Sequence, residues 1–420
     1  MRQAATRADD HLIRRHRAGL DAERRHANDV KGPRTDVAIV GGGIMGSALA
    51  YWLTSLEPGT AVTVIERDLA YRQASSALSA ASIRQQFTTA VNVRIAQAAI
   101  QFLRAAGELL AVNGDRPQIG LAERGYLYLA DAVTQSALHT AHALQRAQGA
   151  DVELLAPAAL AARFPWLDTA GITCGALGHS GEGWFDGPAL LTAFARKARA
   201  QGATYVRGEV TGVLRAGRRI TALALGNGTR LPCGWAVNAA GPWARALAAL
   251  AGIELPVHAR RRTVYVVACA ARMEPFPLVV DPTGFWIRPE GRRFITGTTP
   301  RIDRDDEPLE PDLVAWEAQL WPALARRIPD FAAARVESAW AGYYEMNLFD
   351  QNAILGPHPA LENLVFMNGF SGHGLQQAPV VGRGIAELIL HGRYELLDLS
   401  PLAFARLLDN RPMRELNVIG

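Results

Sequence analysis

Residues 36–67, DVAIVGGGIMGSALAYWLTSLEPGTAVTVIER, narrow what this chain can fold into more than any other stretch. They read as an apolar strand, a glycine turn, a helix and a second apolar strand, which is one complete βαβ unit of a parallel sheet. Gly41, Gly43 and Gly46 follow the first strand in G-x-G-x-x-G spacing. Such glycines let the chain turn tightly, let backbone N–H groups approach a pyrophosphate, and let the helix pack close to the strand. The helix N-terminus then offers its partial positive charge to the phosphates. Glu66 ends the second apolar run twenty residues after Gly46, where a carboxylate can accept ribose hydroxyls. The unit predicts a dinucleotide site and leaves NAD and FAD open.

Further along, the same grammar recurs twice. WAVNAAGPWARAL is a strand, a small-residue turn at Asn238 to Gly241 and a helix; LVFMNGFSGHGLQQAPVVGRGIAELIL is a strand, a turn at Gly369, Gly372 and Gly374, and a helix. A second helix N-terminus should therefore point at whatever the first turn holds. Between these, ASSALSAASIRQQF (74–87) is a small-residue loop ending beside Arg84, and the spacing of Val93, Ala96, Ile100 and Leu103 predicts a helix over 91–112. Strand-like runs at 262–269, 285–288 and 293–297 predict an antiparallel sheet in a second unit, followed by a helix over 312–326.

Length and charge exclude several classes. With 420 residues, 49% of them hydrophobic, the chain can bury a large core in two domains, and no apolar run reaches the length of a membrane span. Residues 1–34 hold nine Lys and Arg against five Asp and Glu, while the remainder balances at 35 against 35. The net charge of +4 thus belongs to residues 1–34, which are expected to form a mobile or marginally helical extension, and no nucleic-acid partner is expected. Cys174, Cys233 and Cys269 stand far apart without a C-x-x-C pair, so neither a metal site nor a disulfide framework is expected. That cysteine usage fits a reducing, cytoplasmic location.

In their order along residues 35–400, GGGIMGSALA, ERD, SSALSAASIRQQF, NAAGPWA and GFSGHGLQQAP together resemble the D-amino-acid oxidase-like flavoproteins, among them sarcosine oxidase and dimethylglycine dehydrogenase. The resemblance implies an α/β chain: a Rossmann-like FAD-binding domain over 35–118, 170–256 and 336–400, and an α+β substrate domain on an antiparallel sheet over 119–169 and 257–335. A C-terminal tail would span 401–420. It implies FAD rather than NAD, with Gly41, Gly43, Gly46, Glu66 and Arg67 on the ADP half and Ser75 and Ser76 by the pyrophosphate. Val210 would lie by the adenine, Gly241 and Trp243 along the cofactor, and Gly372, His373, Gly374, Leu375 and Gln376 at the isoalloxazine edge.

Carried over in the same way, Arg84 of SIRQQF would bind a substrate carboxylate, and Tyr344 and Gln376 would wall the pocket. The reaction implied is removal of hydride from the Cα–H of an amino acid or N-methylated amino acid; a 2-hydroxy acid is the rival donor. Three departures from the family pattern sharpen this. Gln376 replaces a carboxylate-binding Lys, so the carboxylate rests more heavily on Arg84. The strand RRFITG has no Lys to stabilise reduced oxygen, which implies a dehydrogenase with an acceptor other than or besides dioxygen. Gly342 and a histidine-free 67–90 stand where relatives attach flavin, so FAD should be noncovalent. GYYEMNLFDQNAILGPHP and YELLDLSPLAFARL also resemble a branch of the family linked to respiratory complex I assembly, which implies a respiratory-complex protein as a partner and an assembly role as an alternative function.

Overall fold

A computed structural model of the chain describes residues 35–418 apart from position 272. The basic extension expected over 1–34 lies outside the described residues. Strand β1 (Thr35–Val40), helix α1 (Ile44–Leu56) and strand β2 (Val62–Glu66) form the βαβ unit read from the sequence. They sit in the middle of an eight-stranded sheet whose main path runs Ile354–His358, Leu361–Asn368, Arg230–Asn238, β1, β2, Thr204–Arg207, parallel except at its first pair, with Arg219–Leu225 and Val210–Ala216 added antiparallel from Arg230–Asn238. Helices cover the central strands, which is why Val37, Ala38 and Ile39 form an unbroken apolar run instead of alternating.

Register brings the three turns together. Val40 is opposite both Ile65 and Asn238, and Asn238 is opposite Phe366. The turns that follow these strands, at Gly41, Ala239 and Gly369, therefore open on the same carboxyl edge of the sheet, where ligands bind in open α/β folds.

A second eight-stranded sheet faces that edge, antiparallel apart from the pairing of Leu278–Val280 with Tyr126–Ala130. Cys174–Gly178 and Arg335–Asn347, assigned from the sequence to the nucleotide-binding half, pair here with Tyr126–Ala130 and Val257–Ala268. Ladder partners far away in sequence decide their place, and nothing local distinguishes them. The helix read over 91–112 runs Ala90–Leu109 with Val93, Ala96, Ile100 and Leu103 buried. The one read over 312–326 is broken into Leu313–Ala315, a wider turn at Trp316–Leu320 and Trp321–Arg327. Pro322 has no N–H for the preceding turn, and the wider turn absorbs the missing bond.

The C-terminal stretch is no loose tail. Leu402 and Phe404 are buried, and Arg406 forks onto Asp350 at 2.7 and 2.9 Å, both side chains buried. From there residues 411–418 run back to the loop that carries Arg84.

At the centre, Gly46 lies so close to β1 that an added Cβ would meet the Gly41 carbonyl oxygen at 1.9 Å. Gly46→Ala is expected to lower unfolding stability by about 3 kcal/mol or more, the scale of an overpacked core site. Denaturant unfolding of wild type and variant side by side checks this.

Candidate active site

The three turns and the facing sheet enclose a cleft of about 540 Å³. Gly41, Gly43, Glu66, Arg67, Ser75, Ser76, Val210, Gly241, Trp243, Gly372, Gly374, Leu375 and Tyr344 line it; Gly46, Arg84, His373 and Gln376 stand behind its wall. Gly46 acts instead through packing, as described above.

At one end the groups suit a dinucleotide. Glu66 accepts the Gly42 and Asp68 backbone N–H groups at 2.7 and 2.8 Å, which fixes its carboxylate at the lip with lone pairs to spare for ribose hydroxyls. The Arg67 guanidinium stacks 3.4 Å over the Trp243 ring and makes a flat, cationic border. The N-cap residue Gly43 has no side chain to cap α1, and Ser76 Oγ accepts the Ile44 N–H only at a long 3.3 Å, so the helix N-terminus remains available to an anion. Ser75 Oγ is buried without any hydrogen-bond partner, a condition that a bound phosphate oxygen would relieve. These donors fit the ADP half of FAD. Among the described residues lining the cleft there is neither cysteine nor histidine, the groups that attach flavin covalently elsewhere.

At the other end, helix Gly374–His391 begins against the cleft. Gly372 has φ +90°, and an added Cβ would meet the Tyr344 ring at 2.4 Å, so this turn and Tyr344 are fitted to each other. Arg262, Thr263, Val264, Trp286 and Thr298 of the second sheet form the roof. Arg262 forks onto Asp303 at 2.7 and 2.9 Å.

Arg84 is not among the residues that line the cleft and is 2% exposed. Its Nε donates to Tyr128 Oη at 2.7 Å, its Nη2 contacts His373 Nε2 at 3.2 Å and the Asn417 carbonyl, and its backbone N–H donates to Gln376 Oε1 at 3.0 Å. Burial and then Arg84 itself hold the His373 imidazole well below its usual range, so the ring is neutral and accepts from the guanidinium. All contacts to the guanidinium are neutral. The other buried arginines each touch a carboxylate: Arg262 on Asp303, Arg288 on Glu290, Arg406 on Asp350.

Sequence reasoning missed Tyr128, Arg262, Glu182, Glu345 and the contribution of residues 415–417. Of these, Glu345 faces the cleft and accepts the Gly369 N–H at 3.0 Å. Its position beside Tyr344 was the only available signal. Burial, opposed by the N–H groups of Gly369 and Phe370, pushes its carboxyl up from an ordinary 4.5 to about 8.

The folded chain thus keeps a proton at Glu345 that the unfolded chain gives up, so this residue's contribution to stability is full below pH 4.5 and lost as pH rises to about 8. Glu345→Gln is expected to flatten that decline. Thermal midpoints of both proteins measured from pH 5 to 8 check it. At the opposite end, Glu66→Gln is expected to weaken FAD binding about tenfold, one hydrogen bond to a charged group, as read by equilibrium titration of the apoprotein.

Comparison with known proteins places this geometry. The family described as FAD dependent oxidoreductase (DAO) matches residues 36–388. The chain is 39% identical to FAD-dependent oxidoreductase domain-containing protein 1 of Xenopus laevis, over 93% of this chain and 86% of the relative. Its fold superposes on L-proline dehydrogenase from P. horikoshii with a TM-score of 0.81 at 25% identity, covering 90% of this chain and 99% of the other. Glycine oxidase from Geobacillus kaustophilus gives a TM-score of 0.77 at 26% identity, covering 89% and 99%. The expected fold class and FAD as cofactor are both borne out, and among the described residues no helix is long and apolar enough to cross a membrane. The chain belongs to the DAO family of FAD-dependent oxidoreductases.

Proposed function

We propose that this oxidoreductase is a dehydrogenase of a small amino acid or N-methylated amino acid whose carboxylate binds Arg84. One observation carries the reading: Arg84 is a fully buried cation whose side-chain partners are all neutral, while every other buried arginine among the described residues meets a carboxylate. A buried charge without an opposite charge in contact is costly, and a substrate carboxylate relieves that cost. The planar fork of the guanidinium suits a carboxylate bidentately, in exchange for the neutral contacts that Tyr128, His373 and the Asn417 carbonyl make to Nε and Nη2.

In this reading Gly41, Gly43, Glu66, Arg67, Ser75 and Ser76 hold the ADP half of FAD, with Val210 by the adenine. Gly241 and Trp243 border its middle, and the turn from Gly372 to Gln376 meets the isoalloxazine edge. Bound FAD supplies the two-electron acceptor for a substrate C–H. The chain's own residues then bind, orient and exclude water: Arg84 fixes the carboxylate, Tyr344 and the second sheet close the roof, and Gln376 secures the Arg84 backbone. A substrate amine entering neutral needs no base. His373, neutral and engaged with Arg84, supports that role as a positioning group.

The acceptor reading rests on Lys197, the sole lysine among the described residues, which donates to the Ala111 carbonyl away from the cleft. Arg262, a cation of the roof itself, is tied to Asp303. Stabilisation of reduced oxygen is therefore weak, and a quinone-like acceptor is favoured. A respiratory-complex partner has one supporting feature: Ile302, Leu313 and Val314 are 67%, 60% and 76% exposed on the segment that packs beside Arg262 and Tyr343.

Anaerobic mixing of the flavoprotein with N-methyl amino acids, amino acids of both hands and 2-hydroxy acids is expected to bleach the flavin with one of the first two classes. Bleaching by 2-hydroxy acids alone would move the substrate to that class, and bleaching by none would favour the assembly role. Reoxidation in stopped flow is expected to be slower with dioxygen than with a soluble quinone. Arg84→Ala is expected to raise the dissociation constant of a carboxylate ligand about a hundredfold, the loss of a charge-assisted pair, with FAD retained.

A further inference from the structure

The loop 84–89 that carries Arg84 has little regular structure of its own, yet the two ends of that loop are gripped by two buried carboxylates that nothing above uses. Glu182, 1% exposed, accepts the Gln85 N–H at 2.6 Å and the Gln86 Nε2 at 2.8 Å. Gln86 in turn donates to the Tyr126 carbonyl at 2.9 Å, which ties the loop to the strand that also supplies Tyr128. The Glu182 carboxylate fits only because residue 178 is glycine: a Cβ there would stand 1.9 Å from Oε2. From the C-terminal segment Glu415, fully buried, accepts the Thr88 N–H at 2.8 Å, the Thr88 and Thr89 hydroxyls at 2.7 and 2.9 Å, and Asn92 Nδ2 at 3.0 Å.

Neither carboxylate touches the guanidinium. Both take their hydrogen bonds from neutral donors, most of them in the loop. A buried carboxylate is expensive unless its oxygens are satisfied, and here the satisfying donors are the backbone and side chains flanking one arginine. Both carboxyl groups thus hold the loop while the guanidinium itself meets no carboxylate. A direct ion pair, as at Arg262 or Arg406, would hold Arg84 equally well and would block the fork.

We infer that Glu182 and Glu415 are positioning residues for Arg84, fixing its loop from both ends so that the guanidinium, held only by Tyr128, His373 and the Asn417 carbonyl, can exchange these neutral contacts for an incoming carboxylate. The inference rests on the reading of Arg84 as the carboxylate anchor and goes beyond it by naming what holds that anchor.

The experiment titrates acetate into the FAD-loaded full chain and follows the flavin absorbance perturbation in wild type, Glu182→Ala, Arg84→Ala and the double variant. Glu182→Ala is expected to raise the acetate dissociation constant about tenfold or more, the scale of one lost hydrogen bond to a charged group. The same change in the Arg84→Ala background is expected to add nothing, because Glu182 acts through Arg84. Glu182→Gln, which keeps an oxygen for the Gln85 N–H, should recover part of the affinity. An unchanged constant in Glu182→Ala, or an equal loss in both backgrounds, overturns the inference. If Arg84→Ala itself leaves acetate binding unchanged, the anchor reading fails first and the inference falls with it. Should Glu182→Ala not fold, Glu415→Ala in the same cycle decides by the same criteria.

Discussion

A single steric fact governs the nucleotide-binding half: Gly46 has no Cβ, and its α-carbon faces the carbonyl of Gly41. That contact pulls α1 down onto β1 and sets the direction of its N-terminus. Because Val40, Ile65, Asn238 and Phe366 share one register, the turns at Gly41, Ala239 and Gly369 inherit the same edge. A helix held even one methyl group further out would aim its free N–H groups past the phosphates. The cleft, the exposed N-terminus of α1 at one end of it and the second helix that meets it at Gly374 share that edge.

A different kind of constraint governs the substrate end. There the chain buries a positive charge and keeps all negative charges off its fork. Tyr128, His373 and Asn417 are neutral partners, and the carboxylates of Glu182 and Glu415 are satisfied by the loop's own N–H groups, hydroxyls and amides. Elsewhere in the same molecule the ordinary solution appears, with Arg406 forked on Asp350. The contrast lies between two buried arginines, so burial alone does not explain it.

How much of this was legible in the sequence depended on how local the signal was. The glycine turn, Glu66 and the helix at Ala90–Leu109 are written in spacings of a few residues, and they stand where expected. Cys174–Gly178 carries no mark of its sheet, because a short run of small residues fits either unit until Tyr126–Ala130 is beside it. Glu182 and Glu415 look like any surface acid in one dimension, since burial is set by strands and helices supplied from elsewhere. Arg84 was named by resemblance, but its place behind the cleft wall, and its neutral partners, depend on Tyr128 and Asn417, which share no motif with it. The apolar residues at 401–418 gave no periodic pattern, so a docked strap read as a tail.

Thr88 and Glu415, whose bond secures the Arg84 loop, are 327 positions apart. Contacts that close so long a stretch of chain carry a large loop entropy and form late on a folding route. Both sheets can assemble from nearer partners before this one closes. The surroundings of Arg84 are therefore complete only once the two ends of the described chain have met.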